Sequence, residues 1–328
     1  MKVAIVLGLL WASLPLAAAS GSGGRLEHVS LFGAEYVRLE DWARAHNFQL
    51  KWTAPRQELT LTSPSATLEF VVDSRKITIN GVNVWISAPI AFHNGSAHIS
   101  PVDLATAILP VLAPARNASG RMIHTIILDP GHGGKDPGRQ AGRLQEKKLT
   151  LLLAKELSDQ LTRAGLKVSL TRKDDAFVEL QARPELAQRR GSELFVSLHF
   201  NSADGAGGSG VKGVEVYCLA PAHTSSTNAR GEGAGAGAYP GNRLDARNML
   251  LAYQLQSALV TELRLEDRGV RRARFAVLRS AEMPAVLIEG GFMTNPAEAK
   301  NIFDANYRRQ MAKAIVDGVL AYKRMVEP

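Results

Sequence analysis

Ile126-Ile127-Leu128-Asp129-Pro130-Gly131-His132-Gly133-Gly134 is the stretch whose reading decides the fold. A continuous apolar run bounded by turn formers reads as a buried strand that enters a tight loop. Glycines on both sides of His132 free the backbone and leave room for something bulky to approach the imidazole. Such a strand holds the histidine at the carboxyl edge of a sheet, where open α/β folds keep their sites. A histidine that merely occupies a turn has the same local signature. The rest of the chain has to decide.

Downstream, helical and strand patterns alternate. Glu146 opens a helix in which Leu149, Leu152, Leu153, Leu157 and Leu161 keep helical spacing, and Gly165 stands where a C-cap glycine belongs. Residues 166–171 read as the next strand, 179–190 as a helix, 194–198 as a buried strand followed by His199, and 214–219 as another strand. A long loop rich in Gly, Ala and Ser covers 220–243. A helix over 244–265 follows, then strands over 274–279 and 285–288, the last running into Glu289-Gly290-Gly291. This alternation predicts an α/β fold with a mixed, mostly parallel sheet flanked by helices.

Residues 25–115 have a different texture, that of a small α+β domain. Residues 36–44 place an extended start before an amphipathic helix, and 98–106 repeat the pattern. Between them 58–62, 67–72 and 76–81 alternate as strands do, and Asn80-Gly81 marks a hairpin. His46, His93 and His98 are scattered, with no metal-ligand spacing. Pro110, Pro114 and Asn117-Ala118-Ser119-Gly120 mark a linker at 116–122, which leaves 123–328 as the second domain.

The first residues carry an address. Lys2, an apolar run over 3–16 and Ala17-Ala18-Ala19 form a signal peptide, with a Ser/Gly leader to residue 24, too short and wrongly flanked for a stable membrane span. Export is the expectation. The single cysteine, Cys218, lies in an alternating strand and reads as a core thiol. Residues 25–115 carry seven Lys and Arg against eight Asp and Glu, whereas 116–328 carry 31 against 23. The basic surface thus belongs to the half with the glycine-histidine loop and favours an anionic partner. Export argues against nucleic acid and leaves a membrane surface or a wall polymer.

Three core strands therefore lead to His132, His199 and Glu289, and Glu146 lies in the first turn of the helix after the His132 loop. Two histidines and one carboxylate form a ligand set for catalytic zinc with a fourth position open for water. Zinc lowers the pKa of that water and polarises a carbonyl, which suits amide hydrolysis. Each residue also has a plain structural reading. Glu146 could favour the helix N-terminus, His199 could be a hydrogen-bonded core histidine, and Glu289 could pair with an arginine. Together those readings weaken, because all four residues face one rim of one sheet.

Residues 123–325 resemble the zinc-dependent N-acetylmuramoyl-L-alanine amidases of the type 3 amidase fold. The likeness rests on Leu128-Asp129-Pro130-Gly131-His132-Gly133-Gly134 with Asp136-Pro137-Gly138, on Glu146, on Ser197-Leu198-His199-Phe200-Asn201-Ser202 with Arg183 before it, on Arg268-Gly269-Val270 with Val277-Leu278-Arg279, and on Pro284 to Phe292. It implies that His132, Glu146 and His199 hold one Zn2+ and that Glu289 is the catalytic carboxylate. It also implies peptidoglycan as substrate, cut between N-acetylmuramic acid and L-alanine by zinc-activated water. The alternatives are another secreted zinc amidase or peptidase of the wall, or a catalytically silent wall-binding protein. Residues 25–115 resemble the copper amine oxidase N-terminal-like domain of secreted bacterial proteins, through the two repeated units, 76–81 and 84–89. That resemblance implies no copper site, but attachment or positioning at the envelope, or a structural brace. Some amidases of this family insert a helix that blocks the zinc until an activator removes it. Here Gly231-Glu232-Gly233-Ala234-Gly235-Ala236-Gly237 takes that interval, so constitutive activity is the expectation, with Glu232 a solvated loop carboxylate, and the sequence does not show whether an activator protein exists.

Overall fold

The computed structural model describes residues 26–141, 144–205, 207–227 and 237–328. The signal-peptide reading of residues 1–24 and the Glu232 reading lie outside the described residues. One sheet of eleven strands organises the molecule. Its C-terminal portion runs in the order Lys167–Leu170, Thr125–Pro130, Leu194–Asn201, Ala285–Phe292, Val214–Leu219, Asp267–Ala273. These strands pair in parallel except Val214–Leu219 against Ala285–Phe292, so the sheet is mixed and mostly parallel, as the alternating pattern predicts.

Strand alternation sorts side chains onto two covered faces. Ile126, Leu128, Val196, Leu198, Val216, Cys218 and Ile288 join one core, under the helices Glu146–Arg163, Asp245–Leu263 and Ala305–Val326. Ile127, Phe195, Tyr217, Leu219 and Leu287 join the other, with Ala187 and Val277 from short helices. A strand buried on both faces must be apolar at successive positions, which is why Ile126-Ile127-Leu128 does not alternate. Cys218 is a buried core thiol whose pKa burial pushes up to about 11.

Two expectations need correction. Residues 274–279 are not a strand: the strand is Asp267–Ala273, and Ala276–Arg279 is a short helix. A short apolar run does not distinguish a strand from a buried helical turn, and Val277 and Leu278 are both buried as on one turn. Asp267–Ala273 escapes a pattern reading because Arg268, Arg271 and Arg272 interrupt it, yet Arg272 is fully buried. His199 and Glu289, moreover, lie within their strands rather than beyond the ends.

The N-terminal strands continue the same sheet. Val82–Trp85 pairs in parallel with Asp267–Ala273 through Val270 and Val84, and four antiparallel strands follow out to Gln49–Ala54. The junction is tied by Asn83 Nδ2 donating to Asp267 O at 2.8 Å, Tyr253 OH to Ile79 O at 2.9 Å and Arg272 Nη2 to Thr106 O at 2.7 Å. One core cluster runs from Trp42 and Ile77 to Met249 and Ile315. Asn117 N donates to Val326 O and Ile123 N to Glu327 Oε1, which pins residues 117–123 to the end of the last helix. No helix among the described residues is long and apolar enough to cross a membrane.

Candidate metal centre

Thr125–Pro130 delivers His132 to the carboxyl edge of the sheet, where its backbone is left-handed (φ 62°). Side chains other than glycine adopt that region seldom, histidine more readily than most, and the surroundings here hold it. Two buried arginines do so. Arg183 donates to Asp129 Oδ1 at 2.9 Å and to His132 O at 3.0 Å. Arg172 donates to Pro130 O, Gly131 O and Lys147 O at 2.8–3.0 Å, so it ties the His132 loop to the helix that begins at Glu146. Asp129 also accepts from Thr171 Oγ1 at 2.6 Å and Ser197 Oγ at 2.7 Å.

Around this frame three donors converge. His132 Nε2 lies 3.0 Å and His199 Nδ1 3.1 Å from Glu146 Oε1, and the ligand atoms of the three residues lie within 4.8 Å of one another. The two imidazoles meet edge to face at 4.8 Å. Glu146 is 4% exposed and is held by Phe200 N on Oε1 and Arg139 N on Oε2. Burial opposes its ionisation, but the contacts from His132 and His199 outweigh it and hold the carboxyl well below the usual range. Asp136 Oδ2 lies 2.8 Å from His132 Nδ1, the far-side carboxylate that fixes a ligand imidazole so that its Nε2 faces inward. Glu289 is the register partner of His199 on the neighbouring strand. Its Oε2 is sealed from solvent and has no hydrogen-bond partner. Burial first, then the charges of Glu146 and Glu215, push its carboxyl well above the usual range. Two imidazole nitrogens, one carboxylate oxygen and a sealed, unpartnered carboxylate oxygen nearby suit a borderline-soft cation such as zinc. The residues fit the group.

All four residues singled out from the sequence are thus brought to one rim. The role of the glycines differs from expectation, because they are packed rather than open. A Cβ on Gly131 would lie 2.3 Å from His199 Cε1, and one on Gly138 2.6 Å from His132 Cδ2 and 2.7 Å from Glu146 Oε2. Gly131→Ala should therefore displace the His199 ring and lower zinc affinity about 10–100-fold, the usual cost of disturbing a ligand's support. Chelator competition on the purified protein checks this, and unaltered affinity would show that the ring has room to move. Sequence reasoning left Arg172 without a role, because the loop and helix carbonyls it ties together, those of Pro130, Gly131 and Lys147, lie 25–42 residues away and no local spacing signals them. The supporting role of Asp136 also went unread, although it stands in the quoted motif four residues after His132.

The molecule is thus a layered α/β protein of the class that gathers its functional groups at the carboxyl edge of the sheet, and here they form a group that could hold a metal ion. The profile described as N-acetylmuramoyl-L-alanine amidase matches residues 126–321, and the chain belongs to that family. It is 36% identical over 242 residues to the N-acetylmuramoyl-L-alanine amidase AmiC of Neisseria meningitidis, an alignment that covers 67% of this chain and 57% of that protein. It is 34% identical to the amidase LytC of Bacillus subtilis over 61% of this chain and 36% of that one, so it spans about half or less of the length of these relatives. Among solved structures, the N-acetylmuramoyl-L-alanine amidase of Clostridium difficile superposes with a TM-score of 0.51 at 32% identity, over 62% of this chain and 97% of that one.

Proposed function

We propose that the chain is a zinc-dependent peptidoglycan hydrolase that cleaves the amide between N-acetylmuramic acid and the L-alanine of the stem peptide. The observation that carries the reading is the His132, Glu146 and His199 cluster with Glu289 in register beside it. A zinc ion bound there supplies Lewis-acid polarisation of the scissile carbonyl and acidifies water. His132, Glu146 and His199 would hold that one ion, and Asp136 would fix the His132 ring. Glu289, with its raised proton affinity and its free Oε2, would take the proton of the attacking water and pass it to the departing amine of L-alanine. Residues 1–24 would direct export to the envelope, 25–115 would form the copper amine oxidase N-terminal-like domain, 116–122 the linker and 123–328 the catalytic domain. The basic excess of the C-terminal half suits an anionic wall polymer.

The test is digestion of purified peptidoglycan with and without a chelator, products read by mass. Intact stem peptides freed from glycan, lost on chelation and regained with zinc, are expected. Release of glycan fragments or of partial peptides would assign the site to a different wall bond.

A further inference from the structure

The face of the sheet that carries Glu289 does not stop at the catalytic half. Residues of one parity along successive strands share a face, so His199, Glu289, Glu215 and Tyr217, Arg271 and finally Trp85 stand on the same side. Trp85 lies in the strand Val82–Trp85 of the N-terminal unit, before the family match begins at residue 126. Four strand spacings separate its strand from that of His199, about 19 Å.

The contacts along this row are continuous. Glu215 is the register partner of Glu289 across the antiparallel pair, so two carboxylates stand side by side. Glu215, 2% exposed, is compensated: Tyr217 OH donates to Oε2 at 2.5 Å, Arg268 Nε to Oε1 at 2.5 Å, and Arg271 Nε lies 3.3 Å from Oε1. The Arg271 contact is the weakly held one, since its Nε is sealed from solvent and makes no hydrogen bond. What holds that guanidinium is the indole of Trp85, whose ring centroid lies 4.5 Å from it. Trp85 is itself fixed, since its Nε1 donates to Arg268 O at 2.9 Å. The same indole thus braces both arginines that neutralise Glu215.

We propose that Trp85 is a positioning residue for the hydrolytic site: by holding Arg271 and the backbone of Arg268 against Glu215, the N-terminal unit fixes the orientation of the carboxylate beside Glu289. Glu289 Oε2 has no donor of its own, so its orientation follows the field of its neighbours. The small domain is then part of the active-site wall as well as a brace. The inference rests on the proposed hydrolytic role of Glu289.

Kinetics of full-length Trp85→Ala, Trp85→Phe, Arg271→Ala and the Trp85→Ala/Arg271→Ala double variant on peptidoglycan test it, with zinc content and melting temperature measured in parallel. Trp85→Ala should lower kcat about five- to tenfold with KM and zinc content unchanged. Trp85→Phe, which keeps a ring for Arg271, should recover most of the loss. The double variant should be no slower than Arg271→Ala alone, as expected of residues acting through one contact. Wild-type kcat in Trp85→Ala, a loss confined to KM, or losses that multiply in the double variant would each overturn the relay. If Trp85→Ala does not fold, Trp85→Phe and Arg271→Ala decide alone: the relay requires a lower kcat in Arg271→Ala than in Trp85→Phe, and equal wild-type rates in both overturn it. Absence of stem-peptide release by the wild-type protein would strike the hydrolytic reading instead, so the two failures are distinguishable.

Discussion

Glu289→Ala is expected to reduce stem-peptide release about 10²–10⁴-fold, the range for removing a positioned general acid–base group, and to leave bound zinc at the wild-type stoichiometry. The second half of the expectation follows from geometry. The donors converge on Glu146 Oε1 from His132 and His199, while Glu289 stands one strand over, with its Oε2 unpartnered. A carboxylate oxygen kept sealed and unpartnered stores a cost that a purely structural residue would not retain. Its raised proton affinity, caused by burial and by Glu146 and Glu215, moves it towards the operating range of a general base. Glu289→Gln separates charge from shape: it keeps the volume and loses the proton acceptor, so it should be about as slow as the alanine variant. A glutamine variant at wild-type rate would remove Glu289 from proton transfer. Zinc lost along with activity in both variants would make it a fourth ligand.

What the chain displays and what it hides divide along the range of the interactions. Ile126 to Leu128, Leu194 to Leu198 and Ala285 to Ile288 are legible because a strand buried on both faces must be apolar throughout, and each run ends in turn formers or a polar residue. His132, Glu146, His199 and Glu289 are legible because metal and proton chemistry need those residue types, and because His132, His199 and Glu289 come just after such apolar runs while Glu146 opens an amphipathic helix. Arg172 and Arg272 are not legible, because a buried arginine looks in sequence like an exposed one. Only the fold shows that Arg172 lies on four carbonyls and that Arg272 reaches Thr106. The continuation of the sheet through Val84 and Val270 is hidden for the same reason. A single bridge between segments about 180 residues apart leaves no periodic trace. The left-handed backbone of His132 is likewise a product of contacts made by Arg183 and Arg172.

Those contacts carry the second large expectation, that Arg183→Leu destabilises the metal-free protein by about 3–5 kcal/mol, the usual cost of breaking a buried ion pair from one side. Arg183 is 1% exposed and Asp129 fully buried, and their 2.9 Å bond is the one ion pair Asp129 makes among the described residues. Removing the cation leaves Asp129 with neutral donors alone, Thr171 Oγ1 and Ser197 Oγ. It also removes the Arg183 donor from the His132 carbonyl, and one of the two arginine donors from the Pro130 carbonyl, which keeps Arg172. Asp129→Asn in the same background should restore part of the loss, because no buried charge then remains uncompensated. Urea unfolding of the four proteins reads this directly as a double-mutant cycle. Strictly additive losses would show that Arg183 acts by filling space rather than by charge. A second signature separates stability from site geometry. Because Arg183 Nη2 holds the His132 carbonyl, the double variant should regain stability without regaining zinc affinity, since neither substitution replaces that donor. Full recovery of zinc affinity would mean that Arg172 alone suffices to keep His132 in its left-handed conformation.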